Sequence, residues 1–511
     1  MKKSIKQARR PSMASYAFAV AVFCAMLAGC NVGPKYLPPA MTAPAAFKES
    51  PVQFKEADGW TVAQPQDAAL RGKWWEIYHE AELNELEEQL NNDNQNVRQA
   101  FENFMEARAL VREARSQYFP TIGVGGSYTR SRTSSNIGSA SSSGTTGGEQ
   151  TQVFSLPADV SWEPDLWDKV RNTVRASQYS AQLSAADLVN ERLTEQASLA
   201  QYFFEIRGQD ALQILLNETV EADKKAVKVV RASYDAGVGD QISVVEAQVT
   251  LESAQSAAIN LGIARAQYEH AIAMLIGKPA STFSIPVVAK TSASPLIPVG
   301  LPSQLLERRP DIAAAERNMA AANAEIGVAY AAYYPALTLS ATGGVESSAI
   351  KNLLDWPSRF WSVGPSISET VYDGGLRRAT VNQYIATYNA NVAAYRQSVL
   401  IAFQQVEDAL AAVRILSQQI QRQQEAVDSS RTFLRLELGR YETGIDPYID
   451  VVTAETTLLL NRQSLTALQV QQMTASVQLI EALGGGWDRS QLPTPLQVTE
   501  KSSKAETTIQ H

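Results

Sequence analysis

After Ala28 the chain has no uninterrupted apolar run approaching the ~20 residues that a membrane-spanning helix needs. Any bilayer crossing therefore falls to strands. Only three histidines occur (His79, His270, His511), and their spacing matches no metal motif. Tyr372–Gly375 reads Tyr-Asp-Gly-Gly, but no lysine follows in a strand–glycine–helix context, so it is not a phosphate loop. The methionines beyond the leader (Met41, Met105, Met274, Met319, Met473) are scattered and form no metal relay. Neither catalysis nor a cofactor finds support. The formal net charge of −8 comes without a basic patch, which argues against nucleic acid as a partner.

What is present begins with a leader. Met1–Arg10 carries Lys2, Lys3, Lys6, Arg9 and Arg10 and no acid; Met13–Ala28 is apolar. A basic start, a short apolar stretch and small residues before the cut make a secretory signal peptide. Its end, Leu27–Ala28–Gly29–Cys30, matches the bacterial lipoprotein cleavage box, in which the cysteine is acylated and becomes residue one. Asn31, where Asp would otherwise direct sorting, resembles lipoproteins sent to the outer membrane. Removing residues 1–29 takes away five positive charges and no negative one, so −8 becomes −13. Cys24 leaves with them, and the one remaining cysteine, Cys30, has no partner for a disulfide.

The plan of the body is clearest in Arg309–Val345. Asp311–Tyr334 is rich in Ala, Glu and Asn, which favours helix, and Pro310 suits a first turn. After Pro335, Leu337, Leu339, Ala341, Gly343 and Val345 alternate with Thr338, Ser340, Thr342 and Gly344, the period of a strand. The same transition occurs at Tyr118–Phe119–Pro120. Other landmarks pair in the same order: Trp167–Asp168 with Tyr372–Asp373, Tyr234-x-x-Gly237 with Tyr441-x-x-Gly444, and Gly277 with Gly484. The offsets are 215, 205, 207 and 207 residues, so the chain is a tandem duplication of a unit about 200 residues long. The first copy carries an extra Ser/Gly/Thr stretch, Ser131–Gln150, which reads as a surface loop tip.

The expected organisation is a leader at 1–29, an N-terminal strap at 30–82 anchored by Trp60, Trp74 and Trp75, repeat 1 at 83–280, a connector at 281–310, repeat 2 at 311–486 and a tail at 487–511. Each repeat supplies two strands, about 121–130 and 152–163, then 336–345 and 360–369. Apolar residues line one face (Phe154, Leu156, Ala158, Val160, Trp162; Trp361, Val363, Pro365, Ile367) and Ser, Gly or acid the other. That fits a membrane barrel with a wet lumen. Long helices are expected from Asp168 to about Asp235 and from Gly375 to about Glu442, each roughly 100 Å, with Gly208 a candidate break. Shorter helices at 83–117, 240–276, 311–334 and 449–483 would stack in pairs to match them. Four strands cannot close a barrel, and an open edge in lipid is excluded, so several chains must combine.

The chain resembles the outer-membrane efflux protein family (TolC-like channels), in its lipoprotein NodT branch. The resemblance rests on the Leu-Ala-Gly-Cys box, Gly72–Lys73–Trp74–Trp75, Arg309–Pro310–Asp311–Ile312 followed by Ala321–Ala322–Asn323–Ala324, the two helix-ending prolines and the two Tyr-x-x-Gly turns. It implies a mainly α fold with a membrane β-barrel: a homotrimer with a twelve-stranded barrel in outer-membrane lipid and a helical tunnel across the periplasm. The tunnel would meet a periplasmic adaptor and an inner-membrane pump of the RND type. The resemblance places adaptor docking at the tips Gly237, Val238, Gly239, Gly444 and Ile445. It places the closed aperture at Asp450, with Thr453 one turn on and Tyr441 in the ties that hold it shut. Ser243 and Asp446 depart from the usual partners, an Asp and an Arg. Asp450 also fits an ordinary helix-start acid, although Asp450, Thr453, Thr457, Asn461 and Ser464 form one polar stripe. Alternatives are a structural envelope tether, which would have no use for alternating strands, and a protein-secretion duct, against which the lipid anchor leans.

Overall fold

The computed structural model describes residues 32–39, 44, 47–49, 72–132, 134, 150–288, 294, 295, 297 and 306–500. The leader, Cys30, Trp60 and nearly all of the Ser131–Gln150 loop lie outside them. Two helices of 67 residues dominate, α3 (Lys169–Asp235) and α6 (Leu376–Glu442). Each starts after a residue in the left-handed region, Asp168 at φ 58° and Gly375 at φ 94°.

Shorter helices line the long ones end to end. α2 (Gln95–Ser116) and α4 (Gln241–Leu275) run along α3, while α5 (Pro310–Ala331) and α7 (Tyr448–Ala482) run along α6. The splices follow one pattern in both repeats. Asn94 precedes α2, accepts from Val97 N–H at 2.9 Å and donates its amide to the Leu275 carbonyl, at the end of α4, at 2.9 Å. Arg309 precedes α5 and donates to the Ala482 carbonyl, at the end of α7, at 3.0 Å. Past each splice, Gly277 (φ 68°) and Gly484 (φ 92°) turn the chain directly against the backbone of Asp93 and Arg308, where any Cβ would collide.

Two expectations need correction. The helix expected over 83–117 is two, α1 (Ala81–Asp93) and α2, because Asn94 leaves the helical region to cap α2. Gly208 is not a break: α3 runs through it, and the missing side chain lets Val470 of α7 approach.

The repeats join where α5 packs on α3, with Ala313 and Ala314 buried beside Ala181, Ala185 and Ala186. Such small residues allow close helix approach. The main core gathers Trp74 and Trp75 with Phe203, Phe204, Ile206, Ile272 and Ile480, so these two of the three strap tryptophans are core anchors. The segment after α7 also packs down, burying Trp487, Leu492 and Val498 with Phe104 and Val111. Asp210, fully buried on α3, accepts from Arg207, Arg265 (2.7 Å) and Val288 N–H (3.2 Å), and Arg265 also holds the Ile285 carbonyl at 2.7 Å. This buried carboxylate is fully paired, the condition under which a buried charge is tolerated, and it clamps the connector onto the helices.

The sheet is antiparallel in the order β1/β2–β3–β4–β5: β1 (Thr121–Val124) and β2 (Ser127–Arg132) both pair β3 (Gln150–Trp162), followed by β4 (Ala336–Ser347) and β5 (Arg359–Ser368). The first expected strand is thus interrupted at Gly125–Gly126, though its register on β3 continues unshifted from Val124↔Ala158 to Ser127↔Ser155. Opposite partners share a face, so Ile122, Val160, Ala341 and Val363 form one apolar row across the sheet. That face is bare: Ile122 is 73% and Trp361 81% exposed. On the other face Thr342 donates to the Asp159 carboxylate at 2.7 Å. Indoles fasten the helix-to-strand transitions. Trp162 donates to the Tyr118 carbonyl at 3.1 Å, and Trp167 donates to the Pro335 carbonyl at 2.8 Å while stacking on Tyr334.

Candidate functional site

The helical end remote from the sheet consists of two hairpin tips built alike. After α3, Gly237 adopts φ 77° and the Val238 N–H reaches back to the Ser233 carbonyl at 3.0 Å; after α6, Gly444 adopts φ 73° and the Ile445 N–H reaches the Arg440 carbonyl at 2.9 Å. Both are glycine-terminated helix caps that satisfy the last carbonyls. Gly239 packs against the backbone of Ser233 and Tyr234, so the first turn is tight. The caps leave an apolar residue at each apex, with Val238 83% and Ile445 67% exposed. Beside them a groove of about 480 Å³ is lined by Ile242, Val245 and Val249 of α4 and Ile449 and Val452 of α7.

The structure gathers Tyr441, Asp446 and Asp450 at the α6–α7 hairpin. Carboxylate oxygens of Glu437, Asp446 and Asp450 lie within 4.8 Å of one another. Arg440 forms an ion pair with Asp446, with a second contact at 2.9 Å, and so holds the Asp446 carboxyl below its ordinary range. Asp446 is thus paired with an arginine of its own hairpin. Glu437 and Arg440 were not legible as site residues, because in sequence they look like the solvated face of a long helix. Ser243 belongs to the other hairpin, where its N–H (2.7 Å) and hydroxyl (3.2 Å) both donate to Asp240, the cap of α4. Tyr441 meets Tyr448 edge-on at 5.3 Å. Burial and then the Asp240 charge raise its pKa, and Tyr441 packs on the same apolar cluster as Val244 and Ala247 of α4.

Thr453 and Thr457 are on the expected stripe, their hydroxyls donating to the carbonyls of Ile449 and Thr453. Asn461 departs from it, because its amide donates to Ser430 at 2.7 Å and its carbonyl accepts from Gln423 at 3.0 Å, both on α6. Above the tip, Asp223 of α3 and Glu455 of α7 are two further carboxyls that sequence gave no reason to single out. Burial raises the pKa of Asp223 to about 6. Burial and then the Asp223 charge raise that of Glu455 to about 7. Cys30 lies outside the described residues.

Comparison with known proteins bears on the family and the fold. The family model described as "Outer membrane efflux protein" matches residues 86–278 and 301–485. The chain is similar to the probable efflux pump outer membrane protein TtgC of Pseudomonas putida, 30% identical over 92% of this chain and 95% of the relative. It is likewise 30% identical to the outer membrane protein OprJ of Pseudomonas aeruginosa, over 94% of this chain and 97% of the relative. Among solved structures, the outer-membrane channel OprN superposes with a TM-score of 0.80 at 27% identity, covering 90% of this chain and 100% of that one.

Proposed function

Because the chain belongs to the outer membrane efflux protein family, we propose that its α6–α7 hairpin builds a periplasmic aperture and its two tips dock an adaptor. The protein is the outer-membrane exit duct of a tripartite efflux pump, a homotrimer that partners an adaptor and an inner-membrane pump; it is not an enzyme. One observation carries the reading from this chain's own residues: a sheet apolar on one face, polar on the other and open at both edges is continuous with helices about 100 Å long. Unpaired edges are forbidden in lipid, and copies joined edge to edge close them. Curated relatives are named for efflux of antibiotic and toluene, and we take the cargo here to be drugs or other small toxic compounds, conducted passively.

Around a threefold axis the Asp450 side chains would converge, with Thr453 one turn further in. Arg440 offsets one of the three clustered carboxylates in each copy, so the ring keeps negative charge and favours cations. The apolar apices Val238 and Ile445 suit a docked helical hairpin better than water. The Leu27–Cys30 box supports acylation of Cys30, adding a lipid anchor to the barrel. Deleting the gene should raise accumulation of a fluorescent efflux dye severalfold, with the intact chain restoring export. Unchanged accumulation, with the pump and adaptor present and no second duct expressed, would overturn the reading.

A further inference from the structure

Sorted by face, the charges of the strands separate completely. On the apolar face the described strand residues carry Arg130, Arg132 and Arg359 and no acid. On the polar face they carry Asp159 and Glu346 and no base. All three arginines stand at the hairpin-loop end, beyond the aromatics Tyr128, Phe154 and Trp361 that edge the apolar band. Two have their reach set locally: Arg130 donates to Gln150 at 3.0 Å, and the Arg359 guanidinium lies 3.7 Å over the Trp356 ring. Both contacts leave the positive charge unneutralised.

The tandem repeat predicts what happens at the seam between copies. Within the chain the repeats meet through β3 and β4, with Phe154 opposite Ser347. Between copies β5 takes the place of β3, and β2 that of β4. The landmark offsets then bring Arg359 within two residues of the position facing Arg132 of the partner subunit. Like charges opposite one another on a sheet are destabilising, and no acid among the described strand residues of this face relieves them. An anion would.

We propose that Arg130, Arg132 and Arg359 form three basic clefts, one at each seam, that bind the phosphate groups of a lipid headgroup in the outer leaflet. The proposal rests on the barrel reading of the sheet. The position favours lipid over a free anion, since the guanidinium groups sit immediately above an apolar band that would hold acyl chains. Arginine also presents a fork that matches phosphate oxygens.

The test is native mass spectrometry of the detergent-purified trimer titrated with bis-phosphorylated lipid A, its dephosphorylated form and inorganic phosphate. The account predicts retention of the phosphorylated lipid over both controls. It predicts at least about a tenfold loss of retention in the variant Arg130→Gln/Arg132→Gln/Arg359→Gln, with Asp159→Asn unaffected. Equal retention by that variant, equal retention of the dephosphorylated lipid, or displacement by equimolar inorganic phosphate would overturn it. Arg359→Gln alone repeats the comparison if the triple variant fails to assemble. Conductance of the same variants should be unchanged, which separates failure of this claim from failure of the duct.

Discussion

Gly208 of α3 lies so close to Val470 of α7 that a single added carbon would overlap the valine's methyl group. This contact joins the long helix α3, near its middle, to the shorter helix α7. Valine is stiff at its first torsion, so the neighbour cannot simply swing away. Gly208→Ala should lower trimer stability by about 1–3 kcal/mol, although alanine is the better helix former. Adding Val470→Ala should restore part of the loss. Thermal or denaturant unfolding of the two single variants and the double variant measures the coupling; additive losses would mean the two positions do not touch.

Asp223 and Glu455 make the lower tunnel sensitive to pH. Each keeps one carboxylate oxygen buried and without a hydrogen-bond partner, and Tyr448 lies within reach of both charges. Their folded pKa values, about 6 and about 7, exceed the ordinary 3.8 and 4.5. A carboxyl raised in this way contributes stability that is complete below about pH 4 and lost as the pH climbs through 6 and 7. Hydrogen exchange in α7 near Glu455 should therefore be slower at pH 5 than at pH 8, by on the order of 3 kcal/mol of opening free energy. Asp223→Asn/Glu455→Gln should abolish the difference. A difference that persisted in that variant would place the titrating groups elsewhere.

The sheet end offers a test of how copies meet. Trp167 holds the second repeat's Pro335 within one chain, and its counterpart Tyr372 is 88% exposed beside Val371 at 92%. Phe119, next to the matching Pro120, is 69% exposed. Repeat equivalence then sets Val371 of one copy near Phe119 of the next. Phe119→Cys/Val371→Cys, treated with a short bis-maleimide in a Cys30→Ala background, should give covalent dimers and trimers on a denaturing gel. Monomer alone would contradict the repeat-based seam.

Much of this was legible in the sequence, for physical reasons that differ by element. The long helices could be bounded because Asp168 and Gly375 start them and Gly237 and Gly444 end them, which are local effects. Strand faces were legible because a two-residue period survives wherever one side is apolar. Asn94 was not read as a break, since a lone Asn among helix formers gives no sign that another helix end will meet it. Gly208 was misread because composition shows its cost to helix, not the side chain crossing it. Asp223, Glu455 and Arg440 escaped for one shared reason: a charged residue on a long helix looks solvated until the neighbouring helix is placed.

Acylation at Cys30 should prove helpful rather than essential. An acyl chain adds about 0.8 kcal/mol per buried CH₂, yet a closed barrel already holds the trimer in the membrane. Behind a conventional signal peptide, Cys30→Ala should still reach the outer membrane at a reduced level. Intact-mass analysis should find the wild-type chain beginning at a modified Cys30; an unmodified Met1 or a free Cys30 thiol would remove the lipoprotein claim.

The most direct measurement is single-channel recording of the purified trimer in planar bilayers. The account predicts a nearly closed, cation-selective resting channel, blocked from the periplasmic side by multivalent cations and opened by its adaptor. Close carboxylates in a narrow ring act within the ~8 Å over which physiological salt leaves charges unscreened. Asp450→Ala should relieve the block without unfolding the protein, since its first-turn position needs no packing. Tyr441→Phe should instead raise open probability if its hydroxyl ties neighbouring helices. A trimer that inserts yet passes no current, with or without adaptor, would contradict the duct, and an unchanged block in Asp450→Ala would return that residue to the role of a helix-start acid.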